Sequence, residues 1–439
     1  MAGGETITVF YERFALGSIH LSARGELFFE YDPRWLETRG NFPLSITLPL
    51  QPGPFADEVI TPWLANLLPE EDQLVALSRA LGLASSDALA ILREIGGDTA
   101  GAISIGEPSI RKDWAYTSLQ DHYGKAGEGE ALARHFEDVG RRPFLAGEDG
   151  VRLSLAGGQK KTALAVLDKE GKPRLGLPQS TDLLAIPKEG APSTVIIKPD
   201  NPRLPGIVEN EAYCMTLAGL IGLPVAECTI LEADGRTALA AARYDRTLRS
   251  DGALRRLHQE DFAQANSIYP GQKYEQGTVP GLDMARLLLT GDHLPPASAL
   301  ALHDQVIFNI LVANTDAHAK NYSILLGDKP SMAPLYDVSS VLHWDHVNQY
   351  HAQKIAGKRR KPADVAPRHW DEMARSAGLN ASALRRRVGE LIDAMVANRI
   401  EATERISSLP GATPEMVEHV AELVERNALR IGGRLRAAA

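Results

Sequence analysis

The chain has few cysteines and no long apolar run. Its 439 residues include two cysteines, Cys214 and Cys228, which excludes a disulfide framework and a cysteine-based zinc site. Both lie in apolar stretches, so we expect buried thiols in a reducing compartment. No segment approaches the ~18–20 uninterrupted apolar residues of a membrane span. The first residues, with Glu5 and Glu12, lack the apolar core of a secretory signal. These absences predict a cytoplasmic protein with no membrane partner.

Basic charge and aromatic side chains are also scarce. The net charge is −9 at pH 7 and aromatic residues make up 6% of the chain. An acidic surface repels phosphate backbones, so the chain as a whole is not predicted to bind nucleic acid. One local exception is KIAGKRRK at 354–361. A solvated basic loop is its commonest interpretation, and a contact with DNA or an acidic partner is the alternative.

The length predicts about two to four domains. Residues 5–31 alternate between apolar and polar and predict a small antiparallel sheet. Residues 60–96 repeat leucine and isoleucine at helical spacing. Together they define an N-terminal accessory α+β unit at 1–107. Residues 108–148 are polar and predict a linker with a short helix, or a partly mobile loop.

The pattern of apolar and polar residues changes near residue 151. Short apolar runs bounded by Gly, Pro or Asp predict strands, and an amphipathic stretch at 208–223 predicts one helix among them. With the preceding linker, these strands form a β-rich lobe at 108–256. Helical periodicity dominates 257–439, which predicts an all-helical lobe. The expected fold class is α+β with two lobes, and a nucleotide site is expected at the interface of those lobes.

The strongest chemical pattern is NTDAHAKN at 314–321. Asp316 and Asn321 are five residues apart, and Asp337 follows in MAPLYDVSS. Kinases use this order: an Asp, an Asn five residues on, and a second Asp after a hairpin. In that chemistry Asp316 orients the attacking hydroxyl and accepts its proton, while Asn321 and Asp337 supply oxygen ligands to Mg²⁺. Taken singly, each residue is also explained as a turn or capping residue.

A glycine turn upstream fits phosphate binding. In SLAGGQKKTAL, Gly157 and Gly158 allow the backbone to approach phosphates closely. The segment is not a Walker A loop, because Lys160 stands before Lys161 where that motif requires glycine. An ordinary hairpin turn is the alternative interpretation.

A lysine at the end of a predicted strand completes the pattern. Lys198 ends TVIIK, where its ammonium group can pair with phosphates, and Glu211 on the following helix can orient it. A strand-end lysine reaching to water and an exposed helix acid are the alternatives. The order of these features along the chain, more than any one of them, predicts an ATP-dependent phosphotransferase.

The motifs resemble those of the HipA family of bacterial toxin kinases. The matching segments are SLAGGQKKTAL at 154–164, IIKPD at 196–200, NEAYCMTLAGLIGLPV at 210–225, ARYDR at 242–246, LHQEDFAQ at 257–264, NTDAHAKNYSIL at 314–325 and LYDVSS at 335–340. PLSITLPL, ANLLPE and IGGDTAGAISI resemble the unit that precedes the kinase core in that family. The resemblance implies a bilobal protein-kinase-like fold with a β-rich N-lobe and an all-helical C-lobe.

The resemblance also implies residue roles. Asp316 is the implied catalytic residue, and Asn321 and Asp337 are the implied Mg²⁺ ligands. The implied ATP-binding residues are Ala156, Gly157, Gly158, Gln159, Lys160, Lys161, Lys198, Arg243, Tyr244, His318, Asn321 and Asp337. Ser154 is the implied autophosphorylation site, and its added negative charge would repel ATP and inactivate the enzyme.

The implied partners follow from the same resemblance. The family is the toxin half of toxin–antitoxin pairs and phosphorylates a translation component, typically an aminoacyl-tRNA synthetase. A HipB-like DNA-binding antitoxin holds it on operator DNA. Ala242 stands where the family has a hinge glutamate. Of two positions thought to approach DNA, Arg375 keeps a positive charge and Gly378 does not. Operator contact is therefore expected mainly through the antitoxin.

Two other classes of function are alternatives to a serine/threonine kinase. One is a nucleotide-binding pseudokinase that regulates transcription with its antitoxin. The other is a metal-dependent hydrolase that uses Asp316, His318 and Asp337. The intact set of Asp316, Asn321 and Asp337 argues against a pseudokinase, and the glycine turn with Lys198 has no role in a hydrolase. The sequence favours the kinase and does not identify its substrate.

Overall fold

The structure is a computed structural model that describes residues 5–107, 114–145, 148–327 and 329–437. Its strands are β1 Thr6–Tyr11, β2 Phe14–Leu21, β3 Leu27–Tyr31, β4 Ile103–Ile105, β5 Ala115–Ser118, β6 Thr162–Leu167, β7 Pro173–Arg174, β8 Leu183–Lys188, β9 Val195–Pro199, β10 Cys228–Ala233, β11 Arg236–Ala242, β12 Arg246–Leu248, β13 Leu254–Arg256, β14 His258–Asp261, β15 Ser323–Leu326 and β16 Ser331–Met332. Its α-helices are α1 Pro33–Glu37, α2 Asp57–Ala65, α3 Glu71–Leu81, α4 Ala88–Ile95, α5 Leu119–His122, α6 Glu128–Arg141, α7 Ile207–Leu220, α8 Met284–Leu289, α9 Pro296–Leu311, α10 Pro367–Ser376, α11 Ala381–Ser407 and α12 Pro414–Ala437.

The chain divides into two compact units. The first comprises residues 1–199, 240–270 and 325–330, and the second comprises 200–239, 271–324 and 331–439. Helices and strands occur in both, so the predicted α+β class is confirmed. The finer division at residues 107 and 256 stays a prediction.

The first unit begins with an antiparallel sheet in the order β3-β2-β1-β4. This sheet was predicted for residues 5–31, and its core includes Trp63 and Leu64 from α2 and Leu92 from α4. Strand β4 was not predicted because its three residues are all buried and show no alternation. Gly17 is required in β2, since a Cβ there would lie 2.5 Å from the Phe29 ring.

A second sheet of the first unit contains the order β9-β6-β8-β5. Strand β6, TALAVL, is buried throughout. The prediction of a linker at 108–148 was wrong in part, because β5 pairs with β8 and α6 is 14 residues long. The large apolar residues buried in α6, Leu132, Phe136 and Val139, are spaced three or four apart, but the many polar residues around them concealed the pattern. Conversely, VRLSLAG forms no strand and contributes only two isolated bridges, at Leu153 and Gly157.

A buried carboxylate, Asp98, lies at the centre of the first unit. Its oxygens accept from Arg246 Nη2 at 2.7 Å, Arg256 Nε at 3.0 Å and Ser193 Oγ at 2.6 Å. Arg243 Nη1 is 3.4 Å away. Burial alone would raise the pKa of this carboxyl, but the three arginines hold the pKa of Asp98 below its ordinary value. The cluster is therefore ionised and depends on pairing.

A second acid, Asp245, completes the cluster. Arg243 Nη2 donates to it at 2.7 Å and Arg246 Nη1 is 2.8 Å away. The side chain of Asp245 is 4% exposed and that of Arg246 0%. Burial opposes ionisation of Asp245, but the two arginines lower the pKa of its carboxyl. Removing one member would leave the others charged and desolvated.

We predict that Asp98→Asn lowers the free energy of unfolding of the first unit by about 3–5 kcal/mol, because three buried guanidinium groups lose their shared counter-charge. Urea denaturation followed by circular dichroism measures this. The matched control is Glu401→Gln, which breaks an exposed pair with Arg405 (side chains 52% and 58% exposed) and should change stability by less than about 1 kcal/mol. Equal effects of the two changes would contradict the prediction.

The second unit is mainly helical. Helices α7, α11 and α12 pack against one another, and Asn427 Nδ2 in α12 donates to Leu311 O at the end of α9 at 2.8 Å. Cys214 is buried as predicted, but Cys228 begins a strand and is only half-buried. The region 257–439 is not all-helical, because β14, β15 and β16 lie in it. Strands β14 and β16 are too short to show alternation.

No helix within the described ranges is both long and apolar enough to span a membrane.

Candidate active site

The loop that follows α9 is shaped by asparagine side chains. Ala313 has a left-handed backbone, with φ at 58°, which turns the chain away from the helix. Asn314 N donates to Asn309 O at 2.8 Å, and Asn314 Nδ2 donates to Asn309 Oδ1 at 2.9 Å. Asn314 Oδ1 in turn accepts from Asp316 N at 3.1 Å. The loop therefore holds its form while the side chain of Asp316 stays 58% exposed.

The five-residue spacing between Asp316 and Asn321 closes this loop. Asn321 Nδ2 donates to Asp316 O at 2.8 Å, and Asn321 N donates to His318 O at 2.9 Å. The ring nitrogen Nε2 of His318 lies 4.0 Å from Asp316 Oδ1. Because the amide nitrogen of Asn321 faces the loop, its carboxamide oxygen is the atom that can bind a cation.

Asp337 lies on a segment anchored to the same loop. Tyr336 donates its hydroxyl to Lys320 O at 2.9 Å and lies 2.7 Å from Ser323 Oγ. Asn314 Nδ2 reaches Asp337 O at 3.5 Å. Asp337 itself has φ at 59°, a left-handed conformation that costs free energy in a residue other than glycine and often marks a functional position. The segment that carries Asp337 thus lies beside the loop of Asp316 in one unit.

Asn210 was missed in the sequence analysis. This fully buried side chain of α7 donates to Ser340 O at 2.8 Å and accepts from Ser340 N at 2.7 Å. It therefore fixes the chain three residues after Asp337. The sequence offered one indication of this role, which is that Asn210, next to Glu211, places an amide side chain on an otherwise apolar face of the predicted helix. Glu211 is buried as well, and its predicted pairing with Lys198 stays a prediction.

We predict that Asn210→Ala lowers the free energy of unfolding by about 2–4 kcal/mol, because two buried hydrogen bonds are lost and the peptide groups of Ser340 lose their partner. Thermal or urea unfolding of the purified chain measures this. Asn398→Ala is the control, since the hydrogen bond that Asn398 donates, to Ala394 O, lies within its own helix and alanine favours helix. A loss no larger than that of the control would contradict the prediction.

Tyr274 was also missed. Its hydroxyl donates to Asp316 Oδ1, and its ring meets His318 edge-on, with centroids 5.0 Å apart. The preceding residue, Lys273, accepts from Ala319 N at 3.1 Å. A tyrosine in an irregular Gly- and Pro-rich stretch carries no periodic signal, so sequence reasoning could not place it beside Asp316.

The predicted phosphate loop, Ala156 to Lys161, belongs to the first unit. Gly157 has φ at 104°, and a Cβ there would lie 2.8 Å from Lys161 Nζ. Gly157 O accepts from Glu70 N at 3.3 Å, and Gly158 O accepts from Gln73 Nε2 at 2.7 Å. The carbonyls thus face α3, and Gly158 is exposed. Ala156, Gln159 and Lys160 share this loop, and their contact with phosphate stays a prediction.

Ser154, the predicted autophosphorylation site, is fully buried. Its Oγ donates to Leu67 O at 2.7 Å, and its N donates to Asp98 O at 3.0 Å. A hydroxyl held in this way cannot meet a phosphoryl donor. Phosphorylation of Ser154 therefore requires its segment to detach from Leu67.

The remaining predicted ATP contacts occupy different environments in the first unit. Lys198 is 7% exposed, which argues against a lysine extended to water. The side chain of Arg243 is held by Asp98 and Asp245, so only its backbone can meet adenine without breaking ion pairs. Tyr244 donates its hydroxyl to Gln259. The adenine-binding roles of Arg243 and Tyr244 stay predictions.

The chemistry of the donor atoms fits magnesium. No group of three or more His, Cys, Asp and Glu side chains suited to a metal gathers among the residues that the structure describes. Mg²⁺ does not require one, because it commonly keeps several waters and binds through one or two carboxylates plus phosphate oxygens. Asp337 and Asn321 offer one carboxylate and one neutral oxygen, which matches that pattern.

Comparison with known proteins agrees with the motifs. The profile of the HipA-like C-terminal domain matches residues 153–399, and that of the HipA N-terminal domain matches residues 7–106. The chain belongs to the HipA family. The predicted resemblance to HipA is confirmed by matches that cover both the accessory unit and the kinase motifs.

Individual HipA relatives cover most of the chain. The serine/threonine-protein kinase toxin HipA of Shewanella oneidensis is 30% identical over 356 residues, 77% of this chain and 76% of that protein. Y4mE of Sinorhizobium fredii, which carries the name of a kinase, is 36% identical over 389 residues, 88% of this chain and 89% of that protein. A chain in the solved complex of Shewanella oneidensis HipA, HipB and operator DNA has a TM-score of 0.80 and 24% identity and covers 98% of both chains, which shows a shared fold.

Proposed function

We propose that this chain is an ATP- and Mg²⁺-dependent serine/threonine protein kinase that acts as a HipA-type toxin. The observation that carries the proposal is the structure of one loop in the second unit. The side chain of Asp316 is exposed on this loop, Asn321 closes the loop by a hydrogen bond to Asp316 O, and Asn314 contacts the backbone of Asp337. Phosphoryl transfer requires mainly positioning and charge stabilisation. These residues provide a proton acceptor and two cation ligands on adjacent segments.

Each residue has a definite role in this proposal. Asp316 orients a Ser or Thr hydroxyl of the substrate and accepts its proton. Tyr274, by donating to one oxygen of Asp316, keeps that carboxylate in a single orientation. Asn321 and Asp337 would hold Mg²⁺, which when bound neutralises charge on the phosphoryl group. His318 lies within the same loop and contributes to nucleotide binding.

Residues of the first unit have the role of binding ATP. The backbone of Ala156 to Lys161 and the ammonium group of Lys198 bind phosphates, while Arg243 and Tyr244 meet adenine. Ser154 is the autophosphorylation site, and a phosphate there repels ATP and inactivates the enzyme.

The partners in the proposal follow from the HipA relatives. A solved relative is in complex with HipB and operator DNA, so we infer a HipB-like DNA-binding antitoxin for this chain. Operator DNA is contacted mainly through that antitoxin, since of two positions implied to approach DNA only Arg375 is basic and the other is Gly378. The substrate is a cytoplasmic translation component such as an aminoacyl-tRNA synthetase.

We predict that Asp316→Asn reduces phosphate transfer at least about a hundredfold, because the proton acceptor is lost, while ATP binding persists. Incubation with labelled ATP and Mg²⁺ measures transfer, and calorimetry measures binding. Asp337→Asn should lose Mg²⁺-dependent ATP binding, and Ser154→Ala should lose self-labelling but not transfer to a substrate.

Glu401→Gln serves as the control in these assays and should match the wild type, because its pair with Arg405 is exposed. Nucleotide binding with no transfer by the wild type would instead identify a pseudokinase. Equal transfer by the wild type and Asp316→Asn would exclude the proposed site.

We predict that Tyr274→Phe lowers kcat about five- to tenfold, with the KM for ATP unchanged. The Asp316 carboxylate loses the hydrogen bond that orients it, which is worth about 1 kcal/mol or slightly more. Steady-state kinetics with saturating Mg²⁺ tests this. Tyr269→Phe, at a 45% exposed tyrosine, is the control. A change confined to the KM for ATP would show that Tyr274 acts on nucleotide binding instead.

A further inference from the structure

A basic hairpin lies in the second unit, shortly after Asp337 in the chain. Residues 354–361, named here the basic hairpin, contain five lysines and arginines and no acid. Ile355 N donates to Lys358 O at 3.0 Å, and Lys358 N donates back to Ile355 O at 3.3 Å. The turn residues Ala356 and Gly357 both have positive φ, 50° and 66°, as in the tight turns of β-hairpins. The hydrogen-bonded turn therefore fixes the backbone positions from which the charged side chains extend.

Three cations of the basic hairpin face solvent. Lys358, Arg359 and Lys361 are exposed, and the described residues provide no acid that pairs with them. The guanidinium carbon of Arg359 lies 4.4 Å from the centroid of the Tyr350 ring, and Lys361 Nζ lies 5.9 Å from it. Cation–π contacts of this kind position a cation without neutralising it. Lys354 differs, since it pairs with Glu275 at 3.3 Å.

Hydrogen bonds connect the segment just before the basic hairpin to residues near Asp316. Thr315 Oγ1 donates to Asn348 O at 2.8 Å, and Glu275 N donates to Ala352 O at 3.2 Å. Glu275 directly follows the tyrosine whose hydroxyl contacts Asp316. The segment that leads into the basic hairpin is therefore hydrogen-bonded at two points, Asn348 and Ala352, to residues next to Asp316 and Tyr274 in the sequence.

We propose that the basic hairpin recognises acidic residues that flank the acceptor hydroxyl of a protein substrate. The inference rests on the proposed kinase function, because it takes Asp316 as the position where that hydroxyl binds. A peptide chain that reaches Asp316 extends beyond it in both directions and meets the surface attached to the loop. Carboxylates at those positions complement Lys358, Arg359 and Lys361, which gives specificity at little cost in desolvation.

An acidic protein segment suits this surface better than a nucleic acid. Proteins that bind duplexes strongly neutralise about six to ten phosphates, whereas the basic hairpin offers three exposed cations without acidic partners. The net charge of the whole chain is −9. The rest of the protein therefore repels the parts of a long polyanion that extend past the basic hairpin. Two or three carboxylates in a short segment match both the number and the extent of the cations.

The test compares the wild type with a triple variant, Lys358→Glu, Arg359→Glu and Lys361→Glu. The matched control reverses three other exposed arginines, Arg24→Glu, Arg426→Glu and Arg430→Glu, and changes net charge equally. The probes are two synthetic peptides with one central serine, flanked either by Glu or by Gln. Transfer from labelled ATP gives kcat/KM, and fluorescence anisotropy gives binding without catalysis.

We expect the wild type and the control to favour the Glu-flanked peptide about tenfold in kcat/KM. Three exposed charge pairs, each of modest strength, together account for a preference of this size. The preference should weaken with salt and disappear in the triple variant, while self-labelling is unchanged. Transfer by the wild type with no preference between the peptides would overturn the inference. The inference would also be overturned if the triple variant lost binding of a DNA duplex of about 20 base pairs and kept binding of the Glu-flanked peptide.

Failure of the kinase function is distinguishable from failure of the inference. Salt-sensitive binding of the Glu-flanked peptide that is lost only in the triple variant, without any transfer from ATP, would support the surface and reject the kinase. Self-labelling that occurs without discrimination between peptides would support the kinase and reject the surface.

Discussion

The first unit depends on the ionised carboxylate of Asp98, which is buried among three arginines. A charge removed from water is tolerated only when it is paired and hydrogen-bonded, and this one draws its partners from distant parts of the sequence. Its backbone adds two further bonds, from Asp98 N to Arg152 O at 2.8 Å and from Ser154 N to Asp98 O at 3.0 Å. One residue of the accessory region thereby fixes both Ser154 and the side chain of Arg243. The accessory region is thus part of the framework that positions the proposed ATP-binding residues.

The second unit uses a different device around Asp316. Neutral amides hold its loop and the segments beside it: Asn314 bonds to Asn309 and Asp316, Asn321 to Asp316 O, and Asn210 to Ser340. An amide donates and accepts at once, so one side chain satisfies two backbone groups without bringing a charge into the interior. The carboxylate that needs water and substrate is left exposed, while its supports are buried.

Sequence order predicted a kinase site at the loop of Asp316 because kinase chemistry restricts residue type at fixed spacing, and the structure places the segments of Asp316, Asn321 and Asp337 side by side. Helical periodicity likewise predicted α9, in which Leu302, Val306 and Ile310 are buried at helical spacing. Asn210 and Tyr274 could not be predicted, because both act through long-range contacts that leave no repeating pattern. Short strands such as β4 and β16 were missed for the same reason, since two or three residues do not establish alternation. Periodicity and motif order therefore predicted the framework, and isolated side-chain contacts had to be observed.

The burial of Ser154 has a kinetic consequence. A hydroxyl that donates to Leu67 O and is wholly shielded reacts only during the fraction of time in which its segment is open. In the proposed self-modification, the observed rate is then the chemical rate multiplied by that fraction. Every ~1.4 kcal/mol that stabilises the closed segment slows inactivation tenfold. In the proposed kinase, the contact with Leu67 would therefore set how long activity lasts before self-modification, independently of the rate at which the enzyme phosphorylates other proteins.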